Sequence, residues 1–129
     1  MTHAAVEIYR MKTIQYILTL LFGAFMIIGG VNHFIKPEMY YPFIPEFLPP
    51  SSVNYLAGIT EIALGMGVFV PRFRYLAALG ILLLMCLFLP LHVWDVIKEV
   101  PAIGSYKAAV VRLPIQFLFI LWAWFISRK

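Results

Sequence analysis

Four long apolar runs, separated by polar or proline-rich segments, dominate this 129-residue sequence. Backbone polar groups inside a bilayer must find partners within the protein, so an apolar run of about 20 residues predicts a membrane-spanning helix. The runs predict an all-α membrane protein with a single domain, residues 1–129, and helices at about residues 13–34, 53–70, 75–96 and 108–126. Short connections favour an antiparallel bundle of these four transmembrane helices.

The composition agrees with a chain in contact with a lipid bilayer. Hydrophobic residues make up 63% and charged residues 12%, whereas soluble domains average roughly 45–50% and 25%. The net charge is +4, but the basic residues lie at segment ends and form no basic stripe, so no nucleic-acid partner is predicted. The one cysteine, Cys86, lies in an apolar run, which excludes an intrachain disulfide and a dithiol reaction carried by this chain alone.

The distribution of basic residues predicts the orientation of the helices. By the positive-inside rule, the end with more Lys and Arg faces the cytoplasm. One end holds Arg10, Lys12, Arg72, Arg74, Arg128 and Lys129, and the other holds Lys36, Lys98 and Lys107. Both termini are therefore expected in the cytoplasm. The first apolar run is expected to stay as an uncleaved helix, and Met11 is an alternative start to Met1.

A proline-rich and aromatic segment, residues 36–52, joins the first two predicted helices. It contains five prolines and the four aromatic residues Tyr40, Tyr41, Phe43 and Phe47. Prolines at this density exclude a regular helix, and aromatic side chains favour the membrane–water boundary. We expect an ordered interfacial loop that lies over the bundle as a lid.

The second apolar run carries one charge, Glu61. A carboxylate near the bilayer centre costs roughly 3 kcal/mol on insertion scales. At helical spacing Glu61 shares a face with Gly58 and Gly65, and small residues allow a neighbouring helix to approach closely. Glu61 is therefore expected to face other helices, where it needs a partner, a proton or a water-filled pocket.

Polar residues from all four predicted helices fall in the outer half of the membrane. Such residues usually face the bundle and find one another. They predict a polar pocket for ligand binding or proton exchange, without assigning a catalytic residue. The candidates are Asn32, His33, Glu61, His92, Asp95, Arg112 and Gln116.

Three pairings are open among these residues. Arg112 is the best match for Glu61 because its guanidinium binds a carboxylate at two points and stays charged. The other pairings are Glu61 with His33 and Asp95 with His92. Without Arg112, Glu61 becomes a candidate proton acceptor.

Two cofactor sites are chemically conceivable but disfavoured. His33 and His92 lie on separate predicted helices, as axial haem ligands do, and with Glu61 they match a metal-ligand set. Hydrogen bonding accounts for each of these side chains, so we expect neither a haem nor a metal. The cofactor stays open, with a quinone as one candidate.

Several motifs resemble those of the DoxX-like family of small bacterial membrane proteins. They are Gly30-Val-Asn-His-Phe-Ile-Lys-Pro37, Ile44-Pro45, Leu48-Pro49, Gly58-Ile-Thr-Glu-Ile-Ala-Leu-Gly65 and Arg112-Leu-Pro-Ile-Gln116. The resemblance extends over about residues 13–126. The chain departs from the family's pattern at Pro90-Leu91-His92.

This resemblance implies a redox-associated, quinone-linked accessory subunit of the bacterial cytoplasmic (inner) membrane. The family is similar to a subunit of an archaeal thiosulfate:quinone oxidoreductase. A protein partner would then supply the redox centre, and a homo-oligomer is a further expectation; whether the chain is itself an enzyme stays open. The alternative is a non-enzymatic membrane assembly or interaction protein whose polar cluster is structural.

Overall fold

The computed structural model describes all of residues 1–129, which form helices and turns without a β-strand. The four long helices are α1 (His3–Ile35), α2 (Pro50–Phe69), α3 (Arg74–Ile97) and α4 (Tyr106–Ile126). Each is long and apolar enough to cross a membrane. The prediction of an all-α chain with four candidate membrane spans is therefore confirmed.

Helix α1 begins about ten residues before the predicted start. The side chain of Thr2 accepts a hydrogen bond from the backbone N–H of Ala5 at 3.2 Å and caps the helix. The residues that follow mix apolar and charged side chains and are mostly good helix formers, so the helix includes them although hydropathy marks only its strongly apolar part. Its 33 residues extend about 50 Å, longer than a hydrocarbon core of about 30 Å.

The proline-rich segment is ordered as two single turns of 3-10 helix. These are Pro37–Met39 and Tyr41–Phe43, and each has a proline in its first two positions, where no N–H is needed. No regular helix forms between α1 and α2, as the proline density predicted. Helix α2 then starts at Pro50, again with the proline at the first helical position.

Helices α1 and α2 pack closely through glycines. A Cβ built on Gly30 would lie 2.7 Å from the carbonyl oxygen of Gly58, and one on Gly65 would lie 2.7 Å from the carbonyl oxygen of Gly23. Only glycine allows the two backbones to come this close. The predicted small-residue face of α2 is thus its contact with α1, and it also carries Glu61.

The remaining packing is apolar. Helix α3 packs against both α2 and α4, and α4 also contacts α1. The core contains Phe22, Met26, Val68, Ile81 and Ala123, all nearly or fully buried. The rings of Phe22 and Trp122 pack with their centroids 4.4 Å apart.

Candidate functional site

The most connected polar group lies where the end of α1 meets the start of α2. His33 is in the last turn of α1, and the residue four positions on is Pro37, which has no N–H to complete the helical hydrogen bond. The side-chain Nδ2 of Asn54 donates to the His33 carbonyl at 2.8 Å instead. Asn54 is 1% exposed, so this bond forms away from solvent.

The same amide determines which nitrogen of the His33 ring carries hydrogen. Because Nδ2 of Asn54 donates to the backbone carbonyl, its Oδ1 is the atom that faces His33 Nδ1, at 2.7 Å. An amide oxygen accepts only, so Nδ1 of His33 must donate. This leaves Nε2 as the ring nitrogen whose protonation varies.

Nε2 of His33 faces Glu61. It lies 3.4 Å from Oε1 of the carboxylate, and both side chains are at most 10% exposed. A bare Nε2 lone pair and a carboxylate repel each other, so one proton on either atom makes the contact favourable. The two groups are therefore positioned to share a proton.

The lid segment covers this pair. The ring of Tyr40 stacks on His33 with centroids 3.7 Å apart and planes 18° from parallel. The Tyr40 hydroxyl accepts a hydrogen bond from Asn32 Nδ2 at 2.7 Å. Asn32 therefore holds the covering ring in place and does not contact Glu61.

The lid is also attached to α3. The Nζ of Lys98 donates to the carbonyl oxygen of Pro42 at 2.8 Å and lies 3.9 Å from the centroid of the Trp94 ring. Phe43 meets the ring of His92 edge-on, with centroids 5.8 Å apart. One aromatic side chain of the lid thus lies against each of the two membrane histidines.

Asp95 does not pair with His92, which was one of the three pairings left open by the sequence. Its carboxylate accepts hydrogen bonds from the backbone N–H groups of Ala102 and Ile103. It is 1% exposed, and Nζ of Lys98 is 4.0 Å away. Asp95 therefore holds the loop between α3 and α4 by bonding to two of its backbone N–H groups.

Arg112 does not pair with Glu61, so the pairing favoured by the sequence is also wrong. Its Nη2 donates to Oε1 of Gln116 at 3.0 Å, one helical turn along α4. Its guanidinium also lies 5.1 Å from the centroid of the Phe119 ring. Nη1 is buried without a hydrogen-bond partner, the one buried side-chain nitrogen or oxygen in this condition.

Gln116 links α4 to α3. Its Nε2 donates to the carbonyl oxygen of Met85 at 2.7 Å. The next residue after Met85 is Cys86. Its carbonyl has no helical donor, because the residue four positions on is Pro90, which has no N–H. Gln116 is fully buried and so ties the two helices together close to this interruption.

The seven candidates therefore form separate groups. His33 and Glu61 are brought together, Arg112 and Gln116 form a second pair, and His92 lies within electrostatic range of Arg112 and Asp95. No group of three or more His, Cys, Asp or Glu side chains is placed to bind a metal ion. Both ring nitrogens of His33 already have protein partners.

Comparison with known proteins assigns the chain to a family. The family of the domain of unknown function DUF8561 matches residues 22–127 of the chain. The chain belongs to this family. The DUF8561 match includes every residue of the polar groups described in this subsection. No curated protein and no solved structure matches the chain.

Two residues that contact His33 were not among the candidates predicted from the sequence. Asn54 and Tyr40 complete the surroundings of His33, but neither was a candidate. A signal for Asn54 was present: it lies seven residues before Glu61, two helical turns away on the same face. Tyr40 had no such signal, because its position depends on the path of the lid.

Proposed function

We propose that this protein spans the bacterial cytoplasmic (inner) membrane as an antiparallel four-helix bundle with both termini in the cytoplasm. The excess of basic residues at one end supports the orientation. The glycine contacts support antiparallel packing: Gly23 lies against Gly65, and Gly30, later in the chain, lies against the earlier Gly58.

Within this bundle, the protein acts as a quinone-linked accessory subunit of a membrane redox system. The observation that carries this function is the buried contact of 3.4 Å between His33 Nε2 and Glu61 Oε1, which places two groups able to exchange a proton side by side. Reduction of a quinone to a quinol takes up two electrons and two protons. A partner protein supplies the electrons, the His33–Glu61 pair supplies one proton, and water supplies the other and then restores the pair.

The second support for quinone binding is Arg112, which could bind a quinone oxygen in the half of the protein that contains His33 and Glu61. Its buried Nη1 has no partner, and a buried guanidinium N–H without an acceptor is costly. A quinone carbonyl would supply that acceptor. The resemblance to DoxX-like proteins, in the motifs that contain His33, Glu61 and Arg112, agrees with this role.

A second candidate function is assembly or interaction in the membrane without catalysis. Its support is that three buried polar side chains bond to backbone atoms of another segment. Asn54 donates to the His33 carbonyl, Gln116 donates to the Met85 carbonyl, and Asp95 accepts from the loop after α3. On this view the polar residues fasten the helices, and a protein partner or a second copy covers the apolar exterior.

Thermal unfolding with an added quinone separates the two functions. The protein in nanodiscs is titrated with ubiquinone-1 and with menadione. At ten times the dissociation constant, a bound quinone raises the melting temperature by about 5 °C. The Glu61→Gln and Arg112→Gln variants should lose this shift, while Glu46→Gln, an exposed acid on the lid, should retain it.

An unchanged melting temperature of the wild-type protein with both quinones would contradict the quinone-linked function. Co-purification of a one-to-one protein partner together with that result would favour the assembly function. A shift that survives in Glu61→Gln and Arg112→Gln would place quinone binding elsewhere in the protein.

A further inference from the structure

We propose that the end of the protein opposite the His33 site binds the phosphodiester headgroup of an anionic phospholipid. The site is a cleft of about 340 Å³ between the start of α3, the end of α4 and the polar part of α1. This volume is at the lower end of the range of small-molecule sites. The proposal does not depend on the quinone-linked function.

The charge of this cleft matches an anion. Three of its nine lining residues are basic, Lys12, Arg74 and Arg128, and none is acidic. These side chains come from three different parts of the chain, and only the fold brings them together. Phosphate oxygens are good acceptors for several such donors at once.

The two arginines are held in place by other contacts. Nε of Arg74 donates to the carbonyl oxygen of Val68 at 2.8 Å, and its guanidinium carbon lies 5.0 Å from the centroid of the Tyr16 ring. The guanidinium of Arg128 lies 4.9 Å from the centroid of the Trp124 ring. The Nη groups of Arg74 make no hydrogen bond within the protein, so they are available to an anion.

The position of the cleft favours a lipid headgroup over a soluble anion. It lies where α3 begins and α4 ends, at the boundary of the apolar spans. Tyr16 and Tyr75 line it, and aromatic rings with a polar tip are typical of the headgroup level. Basic side chains at this level attract anionic lipids.

A neighbouring cleft is a poorer match. It has a volume of about 310 Å³ and shares Lys12, Gln15 and Arg128 with the first cleft. It is also lined by Glu7, whose carboxylate repels a phosphate. We therefore assign the headgroup to the cleft that contains Arg74.

Native mass spectrometry of the purified full chain tests this site. The retention of phosphatidylglycerol is compared with that of phosphatidylethanolamine in the wild type and in a Lys12→Gln, Arg128→Gln double variant. Each lost charge should weaken binding about fivefold, so the double variant should bind phosphatidylglycerol about twenty-fivefold more weakly. Because both clefts contain Lys12 and Arg128, Arg74→Gln is measured as well: a loss of about fivefold assigns the headgroup to the cleft that contains Arg74, and no loss assigns it to the neighbouring cleft.

The matched control is Lys36→Gln with Lys107→Gln, which removes two exposed charges from the other end of the protein. Its affinity for phosphatidylglycerol should stay within about twofold of the wild type. Equal losses in the two double variants, or no loss in the first, would overturn the proposal. A third measurement compares inorganic phosphate with phosphatidylglycerol by their effect on the melting temperature of the protein in detergent. If inorganic phosphate raises the melting temperature as much as phosphatidylglycerol does, the site binds a soluble phosphate and the lipid assignment fails.

Discussion

At the scale of single residues, the protein is organised around a carbonyl group that has lost its helical donor. Pro37 removes the N–H that would bond to the His33 carbonyl, and Asn54 replaces it. This hydrogen bond fixes the orientation of the Asn54 amide. The amide oxygen then accepts from Nδ1 of His33, so Nδ1 must carry a hydrogen. The ring nitrogen of His33 that faces Glu61 is therefore determined by a proline four residues further along the chain.

The hydrogen bond from His33 Nδ1 to Asn54 predicts the tautomer of the neutral His33 ring. In nitrogen NMR spectra of the Glu61→Gln variant, we expect the neutral His33 ring to carry its hydrogen on Nδ1, because Oδ1 of Asn54 accepts from that atom. In free imidazole side chains the hydrogen is more often on Nε2. The matched control adds Asn54→Ala to the Glu61→Gln variant, and in this protein the neutral His33 ring should carry its hydrogen on Nε2. An Nε2–H tautomer with Asn54 intact would contradict this assignment.

Asn54 also predicts a stability effect. Replacing it with Ala leaves the His33 carbonyl and Nδ1–H without partners in a buried site. We expect a loss of about 2–4 kcal/mol in the free energy of unfolding, measured by denaturant titration in mixed micelles. Thr60→Ala is the control, since the Thr60 hydroxyl bonds only to the carbonyl of Leu56 in its own helix. Equal losses in both variants would argue against the bridging role of Asn54.

At the scale of elements, the close contact of α1 and α2 sets the position of the polar pair. A Cβ built on Gly58 would lie 2.8 Å from the Cβ of His33 and 3.0 Å from the carbonyl oxygen of Gly30. The glycine at this position lets His33 reach between Asn54 and Glu61. The separation of the helices and the geometry of the site are therefore coupled.

Gly58→Ala should therefore destabilise the protein. The added methyl group meets backbone and a Cβ, neither of which moves cheaply, so we expect a loss of about 1–3 kcal/mol in unfolding free energy. In Gly80→Ala the methyl group meets only the end of the flexible Leu64 side chain, and alanine favours the helix by about 1 kcal/mol. That variant should be neutral or more stable in the same titration. A Gly58→Ala protein as stable as Gly80→Ala would exclude this packing.

The lid is the second element whose position matters, and Lys98 attaches it to α3. In Lys98→Met the bond from Nζ to the Pro42 carbonyl is lost. We expect the amide hydrogens of Phe43 and Ile44, which bond within the lid, to exchange about tenfold faster in deuterium-exchange mass spectrometry. Lys107→Met, at an exposed position, should leave their exchange unchanged. An unaltered rate in Lys98→Met would mean that other contacts hold the lid.

At the scale of the whole molecule, the two ends differ in chemistry. One end buries the His33–Glu61 pair beneath an aromatic lid, and the other exposes a basic cleft beside tyrosine rings. An apolar core of residues such as Phe22, Ile81 and Ala123 separates them. The proposed orientation places the basic cleft on the cytoplasmic side and the lid on the outer side.

Labelling of single cysteines tests this orientation in intact cells. With Cys86 replaced by Ala, an impermeant maleimide should label Glu46→Cys in the lid and Glu99→Cys in the loop after α3. It should not label Thr2→Cys or Lys129→Cys until the membrane is permeabilised, because the basic end faces the cytoplasm. The reverse pattern would invert the topology and move the His33 site to the cytoplasmic half.

The sequence by itself determined the helical class, the four candidate spans and the burial of Glu61 towards other helices. These follow from local composition and spacing, since apolar length and small-residue faces are properties of neighbouring positions in the chain. The start of α1 was missed because hydropathy does not register a polar helix capped by Thr2. The proline-rich segment was predicted as an ordered lid, but not which rings it would cover.

Only the tertiary structure decided which polar groups meet. Charge alone favoured Glu61 with Arg112, yet His33 is the residue that reaches Glu61, because the glycine contact draws α1 against α2 at that depth. Arg112 turns to Gln116 on its own helix. Asp95 likewise serves the backbone N–H groups of a nearby loop. Such choices depend on angstrom-scale separations between helices and on unpaired backbone atoms, and neither is encoded in the spacing of residue types along the chain.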